Sequence, residues 1–206
     1  MNKTGAAFSV RFLRNGDQIT VVRNVIDSAG NGAALFQVVD TETGTPTPDW
    51  TKTENQPIIQ LGVRSAAGYP TEITNVAWAY DGKTLNFTYN GSTWVTANND
   101  GRFQARINGN YYELKIVANI ASKTEVSNKQ ISYEVSYSSN AHSDTLQGSI
   151  DVLIQQAGSN SHILQITTNR VELDASYDKA MLTAVASYGS TPVSIGSNEY
   201  TIKWYQ

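Results

Sequence analysis

The sequence predicts a nearly all-β protein made of sandwich units. Apolar and polar residues alternate in short runs, as in Phe8-Ser9-Val10-Arg11-Phe12 and Ile131-Ser132-Tyr133-Glu134-Val135. Turn signals such as Asp81-Gly82, Asn90-Gly91 and Asn108-Gly109-Asn110 separate the runs. Strands at intervals of about 8–12 residues are the pattern of a sandwich or barrel. Helical periodicity is nearly absent; the segment Ser122 to Ser127 is the one place where a short helical turn is expected.

The first alternating run ends at Asn15-Gly16 and a second begins at Ile19. Asn-Gly between alternating runs signals a tight hairpin, because both turn positions need positive φ. A hairpin is therefore expected over residues 7–26, a loop over 27–32 and a short strand over 34–40. Pro46 and Pro48 then remove two backbone donors, so residues 41–50 read as a loop or linker. Residues 1–50 are expected to form an attachment or oligomerisation region outside the main sandwich.

From Pro57 onward the spacing becomes regular. Strands are expected at 57–65, 73–80, 83–89, 92–96, 102–107, 111–118, 129–138 and 146–156. Tyr133 stands near the start of one of them, two residues before Val135. Immunoglobulin-like sandwiches carry a tyrosine in that place, with its ring inside and its hydroxyl on upstream backbone. Trp78 or Tyr80 would supply the buried aromatic of the third strand. Residues 56–156 thus read as one immunoglobulin-like sandwich. The polar run Ala157 to Ser161 reads as a linker. Strands resume at 162–168, 170–174, 179–188 and 199–205, with Trp204 as a buried aromatic. They supply only part of a second such unit, which a longer native chain or a partner would complete.

Composition narrows the function classes. The chain has 206 residues, 40% of them hydrophobic, enough for packed cores. Charged residues are 16%, low for a soluble domain, and small neutral polar residues replace them. That surface is common in fibres, adhesins and other extracellular β-proteins. Net charge is −3 and Lys/Arg residues do not cluster, so a nucleic-acid footprint is not expected. No apolar run is long enough for a membrane-spanning helix. Arg11 and Arg14 interrupt the N-terminal apolar stretch, so residues 1–14 do not read as a signal peptide.

Several segments resemble long virion proteins of crAss-like gut bacteriophages. They are Val39-Asp40-Thr41-Glu42-Thr43-Gly44, Thr47-Pro48-Asp49-Trp50-Thr51, Asn55-Gln56-Pro57-Ile58-Ile59, Trp78-Ala79-Tyr80, Leu114-Lys115-Ile116-Val117-Ala118-Asn119 and Ile202-Lys203-Trp204-Tyr205. The resemblance spans most of residues 34–206. It implies tandem immunoglobulin-like domains and a structural role in a head or tail fibre or decoration component. Implied with it are other virion proteins as partners, homo-oligomerisation and location in the virion. A bacterial surface adhesin or carbohydrate-binding module is the alternative, with an extracellular location.

Chemistry has few carriers. With no cysteine there is no disulfide, thiolate ligand or cysteine nucleophile. His142 and His162 lack metal-ligand spacing. No nucleophile elbow, zinc-helix or phosphate-loop motif occurs. Asn98-Asn99-Asp100-Gly101 offers too few oxygens for calcium and reads as a turn. Asp49 and Glu54 are similarly sparse. Asn86-Phe87-Thr88 and Asn90-Gly91-Ser92 match the glycosylation triplet. No catalytic, cofactor or metal residue is expected, and the chain reads as a non-enzyme. Trp50, beside the double proline, and Trp94, after Asn-Gly, are the aromatics expected to be exposed for contact with a host-surface glycan or protein.

Overall fold

The computed structural model describes residues 18–139, 142–158, 162–168, 182–188, 191–194 and 203. Two sheets pack face to face. The first, five-stranded, runs β1-β4-β9-β8-β7. Its strands are β1 (Ile19–Ile26), β4 (Ile58–Ser65), β9 (Tyr111–Ile116), β8 (Asp100–Asn108) and β7 (Val95–Ala97). The second, six-stranded, runs β3-β2-β11-β10-β5-β6. It comprises β3 (Pro46–Thr47), β2 (Phe36–Asp40), β11 (His142–Ala157), β10 (Lys129–Ser139), β5 (Thr71–Tyr80) and β6 (Lys83–Leu85). Pairing is antiparallel throughout except β2 with β11, which is parallel.

Alternation decides which side chains fill the core. In β10, Ile131, Tyr133, Val135 and Tyr137 point inward and polar residues stand between them. In β9, Tyr112, Leu114 and Ile116 do the same. In β5, Ile73 and Val76 are both buried although their positions have opposite parity. A register shift against Ser136 and Tyr137 leaves Thr74 unpaired and resets the alternation, as a bulge does. The tight turn at Asp81-Gly82 forms as expected: φ is 49° at Asp81 and 78° at Gly82.

Trp78 and Tyr133 are register partners on β5 and β10, and their rings meet edge to face at 6.1 Å. Gly148 is the partner of Tyr133 on the other side. The hydroxyl end of Tyr133 lies over Gly148, so the ring is directed at the following strand and not at the upstream backbone. A Cβ on Gly148 would come within 2.9 Å of Tyr133 Cε2. Gly148→Val is therefore expected to destabilise by about 1–3 kcal/mol through overpacking. Urea unfolding checks it, and Tyr133→Ala in the same chain should relieve part of the loss.

The boundary expected at residue 50 is not observed. β1 pairs with β4 along its whole length, and β2 is buried on both faces. Residues 19–50 therefore belong to the sandwich. The segment with two prolines is not a free linker: β3 pairs with Val38 and Val39 of β2, and Pro46 sits at a sheet edge, where a missing donor costs little. The strand half of the expected hairpin that precedes Gln18 lies outside the described residues.

Other expectations change in detail. Residues 122–127 form no helix; Ser122 and Glu125 exchange backbone hydrogen bonds of 3.0 and 3.2 Å in a tight turn. The strand expected over 83–89 stops at Leu85. Ala157 belongs to β11 and is buried, so of the expected linker only Gly158 is a described residue outside a strand. Beyond it β12 (His162–Thr168), β13 (Leu182–Tyr188) and β14 (Thr191–Pro192) form a three-stranded sheet. Ile163 packs with Phe36, Val38 and Ala157, so this sheet rests on the outer side of β2. The strands expected at 170–174 and 199–205, with Trp204, lie outside the described residues apart from Lys203.

Candidate functional site

Of the two tryptophans expected to be exposed, only Trp94 is accessible. Trp50 is wholly buried in the main core. The cause is a polar clamp that sequence spacing does not reveal. Gln37 in β2, itself 0% exposed, donates to Pro48 O at 2.9 Å and to Asn119 Oδ1 at 2.7 Å. Its own Oε1 accepts the backbone N–H groups of Ile120 and Ala121, both at 2.9 Å. Asn119 Oδ1 accepts Trp50 N–H at 2.7 Å, and Asn119 Nδ2 donates to Asp49 Oδ1 at 2.8 Å. The loop thus has its backbone partners inside, and the indole follows them.

Trp94 lies on the outer face of the five-stranded sheet. Because Tyr112, Leu114 and Ile116 face the core, Tyr111, Glu113 and Lys115 face outward. Glu113 is the register partner of Gln60 on β4 and of Arg106 on β8. Gln60 Nε2 donates to it at 2.6 Å, Arg106 Nε at 2.7 Å and Asn108 Nδ2 at 3.0 Å. Only 1% of Glu113 is exposed. The carboxylate thus takes three donors and holds Arg106 in place. Arg106 Cζ and Lys115 Nζ each lie 4.3 Å from the Trp94 ring centroid. Burial, then the neighbouring Arg106 charge, pushes the Lys115 ammonium below its ordinary range. Chemically this is a half-buried aromatic ring in contact with two cations.

Several of the remaining candidates are tied into local structure. Asp100 takes Arg102 Nε at 2.9 Å and Nη2 at 2.6 Å, and this hydrogen-bonded pair holds its carboxyl below the usual range. Asn99 ties Asn86 N–H and Thr84 O across the loop, at 2.9 and 2.7 Å. Asp49 accepts Thr51 Oγ1 at 2.7 Å, and that bond leads the effects lowering its carboxyl. Glu54 stands exposed in a short 3-10 turn, Thr53–Asn55. The His162 ring meets Tyr188 in a tilted contact at 4.6 Å, and His142 opens β11. Asn86 and Asn90 are exposed. Among the described residues no cluster of three or more His, Cys, Asp or Glu could hold a metal, and no helix is long and apolar enough to cross a membrane.

Tyr89 meets Tyr112 edge to face at 5.5 Å, and burial pushes its phenol up to about 12. An ordinary phenol titrates near 10, so the folded chain holds this proton longer than the unfolded chain. Stability should therefore be intact below about pH 10 and fall as pH rises toward about 12. Following phenolate absorbance against unfolding checks this, and Tyr89→Phe should flatten the alkaline decline.

No protein family, curated protein or solved structure matches the chain.

Proposed function

We propose that the chain is a non-catalytic bacteriophage virion protein, a head or tail fibre or decoration component built from immunoglobulin-like modules. The observation that carries this reading is the strand order of the sandwich. The parallel β2–β11 pair, the β11-β10-β5-β6 sheet and the buried Trp78 on β5 support an immunoglobulin-like module, although Tyr133 does not reach upstream backbone. The sequence resemblance to crAss-like phage virion proteins supplies the virion setting. The docking of a further three-stranded sheet on β2 supports a tandem array. That Asp49, Asp100 and Glu113 are held by hydrogen bonds supports a scaffold role over catalysis.

The test is immunogold microscopy of purified particles with antibodies against the folded chain. Labelling at one site on the particle is expected. Unlabelled particles with labelled bacterial surfaces would favour the second reading, a surface adhesin or carbohydrate-binding module. Trp94 on its two cations supports that alternative, and there Trp94→Ala should abolish glycan retention.

A further inference from the structure

We propose that the free edge of β11 pairs with the same edge of a second copy about a two-fold axis at Gln147. This rests on the homo-oligomerisation that the virion resemblance implies and names its interface. β11 pairs with β10 from His142 to Val152, but with β2 only from Leu153 onward. On the β2 side, the run from His142 to Val152 therefore has no strand beside it among the described residues.

The backbone groups that face this gap follow from alternation. Leu153 N–H donates to Leu35 O at 2.8 Å, on the side away from β10. Ser143, Thr145, Gln147, Ser149 and Asp151 share that parity, so their N–H and C=O groups point outward from the sheet edge. Ser149 O is reached by Arg23 Nη1 at 2.7 Å, across from the other sheet, and a carbonyl keeps a second lone pair for another donor. On the inner row, Leu146, Gly148 and Ile150 remain partly exposed, unlike Val135 and Ile131 beside them on β10. A strand added here would cover them.

The edge is complementary to itself. Gln147 is the midpoint of the run from His142 to Val152, which β2 limits at one end and the β10–β11 hairpin at the other. Antiparallel pairing centred there opposes Thr145 to Ser149 of the second copy and Ser143 to Asp151. It sets Leu146 against Gly148, beside the Tyr133 ring. Asp144 meets Ile150, so no like charges face each other. The run carries neither proline nor lysine, the residues that usually blunt an edge. An isologous contact of this kind closes a dimer with one continuous sheet.

The chain contains no cysteine, which makes the register directly testable. Across the axis the two Gln147 Cα atoms would stand about 5.5 Å apart, within disulfide reach. The chain should sediment as a dimer, and Gln147→Cys should give a covalent dimer on mild oxidation. Thr145→Cys, equally exposed but facing Ser149, should remain uncrosslinked. A monomer at all concentrations overturns the proposal, whatever strand from another protein binds the edge. So does a dimer in which Gln147→Cys fails to crosslink, or equal crosslinking through Thr145→Cys. Particle labelling is independent of these outcomes, so loss of the dimer and loss of the virion reading are distinguishable.

Discussion

Replacing Gln37 by leucine is expected to destabilise the chain by about 3 kcal/mol or more. The side chain is 0% exposed and spends every polar atom on a partner: Pro48 O and Asn119 Oδ1 for its amide hydrogens, Ile120 and Ala121 N–H for its oxygen. Leucine fills the space but leaves those backbone groups without it. Each buried polar group left unpaired costs about 1–3 kcal/mol, against a total stability of about 5–15 kcal/mol for a typical domain. Guanidinium unfolding measures the loss. Gln37→Glu separates the polar cause from the packing cause. A glutamate oxygen can still accept from Ile120 and Ala121, but its other oxygen faces two acceptors, and only when protonated can it donate to one of them. Folding therefore raises the pKa of this carboxyl. Its stabilising, protonated form is fully present below the ordinary glutamate range, and its contribution is lost as pH rises through the folded value. Gln37→Glu should weaken between acid and neutral pH relative to the parent chain, whereas Gln37→Leu should not add that dependence.

Local pattern made most of the strands legible. Period-two alternation marks β10 and β9 because each has one face in the core and one facing out, and Asp81-Gly82 marks its turn because two positive φ values are needed. Pattern was silent where a residue is decided by a distant one. β2 reads as a short strand outside the main sandwich, yet it is buried on both faces between the main core and Ile163. Its one signal was Gln37 standing alone in an apolar run, since a polar residue in such a run must find partners. Those partners lie in the loop around Pro48 and in residues 119–121, so no window of sequence contains both. The same holds for Gly148, whose reason is the Tyr133 ring, and for Glu113, whose donors come from β4 and β8. Trp94 was legible as an accessible aromatic because the Asn-Gly turn puts it at the surface. The cations against its ring were not, because Arg106 and Lys115 arrive from neighbouring strands.

Trp50→Ala is expected to cost about 3–5 kcal/mol, the loss typical of deleting a large buried aromatic. From sequence alone Trp50 and Trp94 were equivalent, and equal small effects would be expected of both. The structure separates them. Trp50 is wholly enclosed in the main core, with its backbone N–H fixed by Asn119 Oδ1 at 2.7 Å. That bond keeps the loop in place when the ring is removed, so collapse into the cavity is restricted and the cavity term persists. Trp94→Ala removes a half-buried ring from the surface and should cost far less. The indole N–H of Trp50 has no partner among the described residues. Trp50→Phe therefore deletes an unpaired buried donor together with part of the ring, and the two effects offset. Its loss should fall well below that of alanine. Thermal unfolding of the three variants tests this order: alanine at 50 most damaging, phenylalanine at 50 intermediate, alanine at 94 least. Equal losses for Trp50→Ala and Trp94→Ala would return residue 50 to the surface.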